Sequence, residues 1–138
     1  MRLVLDASVA LKWVLNSLHE ADVRLAEGIL WAIRNEAAVL LSPPHWIAEV
    51  LAVVARKDAA RLDHTFEILY GLNHSEISSE ITHLLAARMS VQMNHHLFDT
   101  LYHAVAIEHG AVLITSDEQY FRKARGMGSI ELLTNFKL

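Results

Sequence analysis

The chain has 138 residues, 12 Lys plus Arg against 16 Asp plus Glu, and no cysteine. That length suits one domain, residues 1–138, with a substantial core; missing cysteines exclude disulfides, thiolate zinc sites and thiol catalysis. A net charge of −4 excludes a broadly basic, non-specific nucleic-acid coat.

In chain order, Arg2 to Leu5 reads as a short buried strand that ends at Asp6. Ser8 is placed to cap a helix over Val9 to Leu15. Glu20 to Glu36 carries Val23, Ala26, Leu30 and Ile33 on one helical face. Ala38 to Leu41 is a second strand, closed by Ser42-Pro43-Pro44, and those prolines suit the first turn of a helix running to Lys57. Helices follow over Leu62 to Gly71 and Ser79 to Met93, with Ser75 to Ser78 as an edge strand between them. Phe98 to His109 is a helix closed by Gly110. Ala111 to Ile114 is the third clear strand, then come a short helix from Glu118 to Arg125 and a last strand over Ile130 to Leu133. Short apolar strands alternating with helices predict a three-layer α/β/α domain with a mostly parallel central sheet.

Two features bear on location and assembly. Asp6 and Lys12 interrupt the first apolar run before a signal-peptide core is complete. The longest uncharged stretch, Ala37 to Ala48, holds Ser42, Pro43, Pro44 and His45, so no membrane span is expected and the protein reads as cytoplasmic. The hydrophobic fraction of 53% and mean hydropathy of +0.25 point to apolar surface that self-association would bury.

Four acids stand where a charge is locally expensive. Asp6 ends Leu3-Val4-Leu5. Glu49 is the one charge in Trp46 to Ala55, and Asp99 the one acid in Phe98 to Ile107. Asp117 follows Ala111 to Ile114 by way of Thr115 and Ser116. Burying an unpaired charge costs several kcal/mol. In an open parallel sheet, ligands sit beyond the carboxyl ends of the strands, where Asp6 and Asp117 fall; helix starts at the same edge would bring Asp99 and Glu49. Taken singly, Asp6 also reads as a turn residue, Asp99 as a dipole-favoured helix start and Asp117 as a cap. Taken together, they read as a carboxylate site for Mg²⁺ or Mn²⁺. Ser8 and Thr115 would orient the acids, or simply cap and turn the chain. Lys12, Arg122 and Lys123 are candidates for touching a phosphate backbone, with a solvated surface the plainer reading. Trp13, Tyr120 and Phe121 suit base stacking or packing. The nine histidines show no HExxH spacing; Asp99 and His103 share a helix face, and His95 and His96 read as a solvated helix end.

The blocks Val4 to Trp13, Pro44 to Leu51, Phe98 to Ala106 and Leu113 to Asp117 resemble, in order and spacing, the PIN-domain family, and within it the VapC-type toxins of toxin–antitoxin pairs. The resemblance places the family's four acids on Asp6, Glu49, Asp99 and Asp117 and its hydroxyls on Ser8 and Thr115. Where some members carry a further aspartate, this chain has Gln119 and Tyr120, with Glu118 beside them. It implies a Mg²⁺- or Mn²⁺-dependent endoribonuclease, a homodimer, and inhibition by a small antitoxin protein. The expected chemistry is hydrolysis of RNA by a water that the metal acidifies. Another nuclease role on this fold, in RNA maturation or on single-stranded DNA, and an inactive PIN-like binding module remain alternatives. A phospho-receiver domain would need paired acids after the first strand, which Asp6-Ala7-Ser8 lacks.

Overall fold

The computed structural model describes residues 1–15 and 20–138, the side chain of Glu20 excepted. Five strands, β1 (Arg2–Leu5), β2 (Val39–Ser42), β3 (His74–Glu76), β4 (Val112–Thr115) and β5 (Ile130–Leu132), form one sheet in the order β3-β2-β1-β4-β5. All four pairings are parallel, in registers such as Val4 against Leu41 and Leu113. Parallel strands need crossovers and are covered on both faces, so their sequences are apolar rather than alternating. Leu3, Val4, Leu5, Leu40, Leu113 and Ile114 are accordingly each no more than 1% exposed.

Seven α-helices flank the sheet among the described residues: α1 (Ala7–Ala10), α2 (Glu20–Arg34), α3 (Trp46–Lys57), α4 (Leu62–Tyr70), α5 (Glu80–Met93), α6 (Leu97–Glu108) and α7 (Glu118–Ala124). The arrangement is the expected three-layer α/β/α fold. None of these helices is long and apolar enough to cross a membrane. The innermost is α6, which lies against β1, β2 and β4 and is covered by α5. Thr100 to Ala106 are all buried, which explains why its sequence is apolar on every side. Its two ends reach the surface, and Asp99 stands in the first turn. Gly110 takes φ +59°, and Ala111 N–H closes back on the Ala106 carbonyl at 2.9 Å, a left-handed helix end suited to glycine.

The structure moves several boundaries. The first helix starts at Ala7 rather than Val9, and a 3₁₀ turn over Leu11–Trp13 replaces its second half. Asp6, not Ser8, is its cap: the Asp6 carboxylate accepts the Ser8 N–H at 3.4 Å, in extended backbone geometry. The prolines precede α3 instead of entering its first turn. Pro44 disfavours helical geometry at Pro43, and Trp46 N–H closes a turn on the Pro43 carbonyl at 3.2 Å. Strands β2 and β4 each lie one residue later than expected, ending on Ser42 and Thr115, and β3 begins one residue earlier, at His74.

Leu40 is fully buried in β2 while Leu84 is 52% exposed on α5. Urea unfolding should therefore show Leu40→Ala losing about 3 kcal/mol and Leu84→Ala changing stability by no more than about 0.5 kcal/mol. Equal losses would contradict this placement of the core.

Candidate functional site

The sheet's chain order reverses between β1 and β4, and at such a switch point the loops leaving two neighbouring strands diverge and open a crevice. Asp6 and Asp117 leave these two strands at their carboxyl ends. The Asp6 N–H extends the ladder to the Ile114 carbonyl at 3.0 Å, which fixes the backbone from which its carboxylate projects.

Hydroxyls then hold that carboxylate. Thr115 Oγ1 donates to Asp6 Oδ2 at 2.6 Å and Ser8 Oγ donates to the same oxygen at 2.9 Å. Ser116 N–H donates to Ser8 Oγ at 3.1 Å, and Asp117 N–H to Thr115 Oγ1 at 3.0 Å. Asp117 caps α7 by accepting the Tyr120 N–H at 2.9 Å. Backbone donors thus orient the hydroxyls, the hydroxyls orient Asp6, and the β4–α7 turn is bound to β1.

The helices supply the other two acids. Asp99 lies in the first turn of α6 and Glu49 in the first turn of α3. The Tyr102 hydroxyl of α6 donates to Glu49 Oε2 at 2.5 Å, so the two helices are joined at the crevice. His45 packs between Phe98 and Tyr102, ring centroids 5.3 and 4.7 Å away, with Nε2 3.6 Å from Glu49 Oε2. Burial lowers its pKa, so the ring adds little positive charge.

These acids feel one another. Burial raises the pKa of Asp6 more than the Thr115 and Ser8 hydrogen bonds lower it, and the Asp99 charge adds to the rise. Glu49 is likewise raised, first by burial and then by Asp6 and Asp99, against the lowering hydrogen bond from Tyr102. Asp99, Asp6 and Asp117 all act on Tyr120, raising its pKa beyond the effect of burial. All four sequence-predicted acids therefore meet at one crevice.

One neighbour escaped the sequence reading. His95, expected at a solvated helix end, has a side chain only 10% exposed, and its Nε2 stands 2.7 Å from Asp99 Oδ2. His95, Asp99 and Asp117 offer ligand atoms within 4.8 Å of one another. The signal was present as the i, i+4 spacing of His95 and Asp99 across a helix start. His103, which shares the i, i+4 relation on the other side, is instead buried, bonded to the Gly128 carbonyl at 2.7 Å and the Tyr120 hydroxyl at 3.1 Å.

The candidate phosphate contacts divide. Arg122 is exposed on α7 and pairs with Glu118 at 3.6 Å, which occupies both side chains on the helix surface. Lys12 is half-buried in the turn after α1. Lys123 reaches toward the acids, donating to His95 Nδ1 at 3.3 Å and the Asn94 carbonyl at 3.4 Å. Of the aromatics, Tyr120 is buried against His95 and His103, and Trp13 donates its Nε1–H to the Ala26 carbonyl at 2.8 Å; both are packing residues.

The Asp99 and Asp117 carboxylates, within 4.8 Å of each other, repel by about 3 kcal/mol at an effective dielectric near 20. Among the described residues, the nitrogen partners these acids show are imidazoles, His45 beside Glu49 and His95 beside Asp99. Oxygen donors gathered with one imidazole are the ligand set a hard or borderline divalent cation takes, and its charge would relieve the repulsion.

The pH dependence carries the same sign. Asp6 and Glu49 have raised pKa values, so above about pH 4 the folded apoprotein binds more protons than the unfolded chain. Its stability then falls as pH rises through the folded pKa values. In chelator between pH 4 and 8, the wild-type Tm should fall progressively relative to that of Asp6→Asn as pH rises. A difference constant across that range would contradict the assignment.

A family model described as PIN domain matches residues 3–126. Among solved structures, the chain is similar to VapBC2 from Rickettsia felis bound to a promoter DNA fragment, with TM-score 0.70 and 14% identity over 96% of this chain and 98% of that one. It is also similar to a toxin–antitoxin complex from Klebsiella pneumoniae, with TM-score 0.68 and 16% identity over 99% of each chain. PAE2754 from Pyrobaculum aerophilum gives TM-score 0.65 and 22% identity over 97% of this chain and 85% of that one. At these identities the likenesses bear on the fold. No curated protein matches the chain.

Proposed function

This chain belongs to the PIN-domain family, a family of nucleases, and from that premise we propose that it is a Mg²⁺- or Mn²⁺-dependent endoribonuclease and the toxin of a toxin–antitoxin pair. The observation that carries the reading is the meeting of Asp6, Glu49, Asp99 and Asp117 at the switch point between β1 and β4.

Asp6, Asp99 and Asp117 would hold the cation, with Glu49 completing the anionic wall and His95 holding the Asp99 carboxylate. When bound, a divalent cation would acidify an attacking water and stabilise negative charge on the phosphodiester. The chain's own part is positional. Thr115 and Ser8 fix the Asp6 oxygens, Tyr102 fixes Glu49, and the buried body of α6 keeps Asp99 in place without rearrangement. Such preorganisation lets the site act without a reorganisation cost during reaction.

The toxin reading is supported by similar structures that are toxin–antitoxin complexes. It also accords with the site's charge, since an antitoxin segment carrying Arg or Lys between apolar anchors would be drawn to four carboxylates and compete with metal there. A homodimer is supported by the hydrophobic fraction of 53% and by Ile81, exposed on α5. Growth arrest on expression alone, relieved by a co-expressed neighbouring gene product, separates a toxin from a housekeeping nuclease of the same family.

Asp99→Asn should lower metal-dependent cleavage of single-stranded RNA by more than the ~100-fold typical of losing an outer hydrogen-bond partner, with the circular dichroism spectrum unchanged. An Asp99→Asn protein that cuts RNA like wild type would remove this residue from the site.

A further inference from the structure

A groove of about 740 Å³ lies between the end of α5 and α7, and its lining includes Val91, Asn94, His95, His96, Gln119 and Lys123. It shares His95 with the His95–Asp99–Asp117 cluster, so it opens directly beside the carboxylates. The volume falls within the ~300–1,000 Å³ of small-ligand sites. The chemistry of its wall differs from that of the crevice next to it. Among the described residues no carboxylate lines it, whereas one ammonium, Lys123, and two side-chain amides, Asn94 and Gln119, do.

The ammonium is held in place. Lys123 donates to the Asn94 carbonyl and to His95 Nδ1. The Asn94 carbonyl is itself fixed, since Asn94 ends α5 in the left-handed conformation with φ 48°. Lys123 therefore presents a positive charge with no carboxylate ion pair among the described residues. An acidic crevice adjoining a cationic groove would repel a phosphodiester chain everywhere but at its metal and along this side.

Resting on the nuclease reading above, we propose that this groove seats a nucleotide of the single-stranded RNA substrate next to the cleaved bond. Lys123 binds its phosphate, and the Asn94 and Gln119 amides contact the base edge, since an amide offers both a donor and an acceptor. Base-edge contacts of this kind read sequence, whereas the phosphate contact sets affinity and register.

The test is equilibrium binding of labelled single-stranded RNA oligonucleotides of differing sequence, by fluorescence anisotropy in Ca²⁺ over a range of salt, with RNA integrity checked on a gel. Lys123→Gln should weaken binding several-fold for every sequence and reduce the slope of log K against log salt by about 0.7. Gln119→Ala should keep the slope and flatten the differences between sequences. Lys137→Gln, at an apolar groove beside α2, should match wild type in both. Binding by Lys123→Gln with the wild-type slope, from a wild type that cleaves RNA in Mn²⁺, overturns the groove alone. A wild type that neither binds nor cleaves RNA overturns the nuclease reading with it.

Discussion

Mutual repulsion among four carboxylates is the constraint around which this molecule is arranged. Asp6, Glu49, Asp99 and Asp117 come from four separate stretches of chain, and each is brought to the crevice by an element with its own reason to be there. A fold optimised for apo stability would not gather them, because burial and neighbouring charges disfavour ionisation of Asp6 and Glu49. The arrangement persists because the backbone beneath it is over-determined by β1, β4 and a helix buried from Thr100 to Ala106. Stability given up at a site and recovered in the core is the usual mark of function.

Hydrogen bonding converts that constraint into geometry. Asp6 receives both Thr115 and Ser8 on one oxygen, and each hydroxyl is itself addressed by a backbone N–H of the β4–α7 turn. Donors fill the inner oxygen and leave the carboxylate little freedom to turn away from its neighbours. Glu49 is held similarly by Tyr102, and Asp99 by His95. The chain of contacts continues from His95 to Lys123, so the acidic centre and the cationic groove beside it are parts of one connected surface.

Much of this was legible in the sequence because strands buried on both faces must be apolar, and an acid at the end of such a run is conspicuous. Asp6 and Asp117 stood out in that way, and Glu49 and Asp99 stood out as lone charges in apolar helices. Less visible were features set by local competition or tertiary contact. Ser8 looked like the cap of the first helix, but Asp6, extended at the strand's end, takes that role and leaves the serine hydroxyl free to bond the carboxylate. His95 looked solvated because its neighbours Asn94 and His96 are polar; packing on Tyr120, with centroids 4.8 Å apart, buries it. Tyr120 and Trp13 read as possible stacking surfaces because an aromatic side chain gives no sequence signal of which way it faces.

The central claim is that these four acids form one divalent-cation site, and calorimetry under added metal tests it most directly. Mn²⁺ or Mg²⁺ should raise the wild-type Tm progressively, equivalent to about 2.7 kcal/mol at a hundred times the dissociation constant. The combined variant Asp6→Asn, Glu49→Gln, Asp99→Asn, Asp117→Asn, relieved of repulsion and still folded, should show no rise. An equal metal-dependent rise in both proteins would place the cation elsewhere and contradict the account.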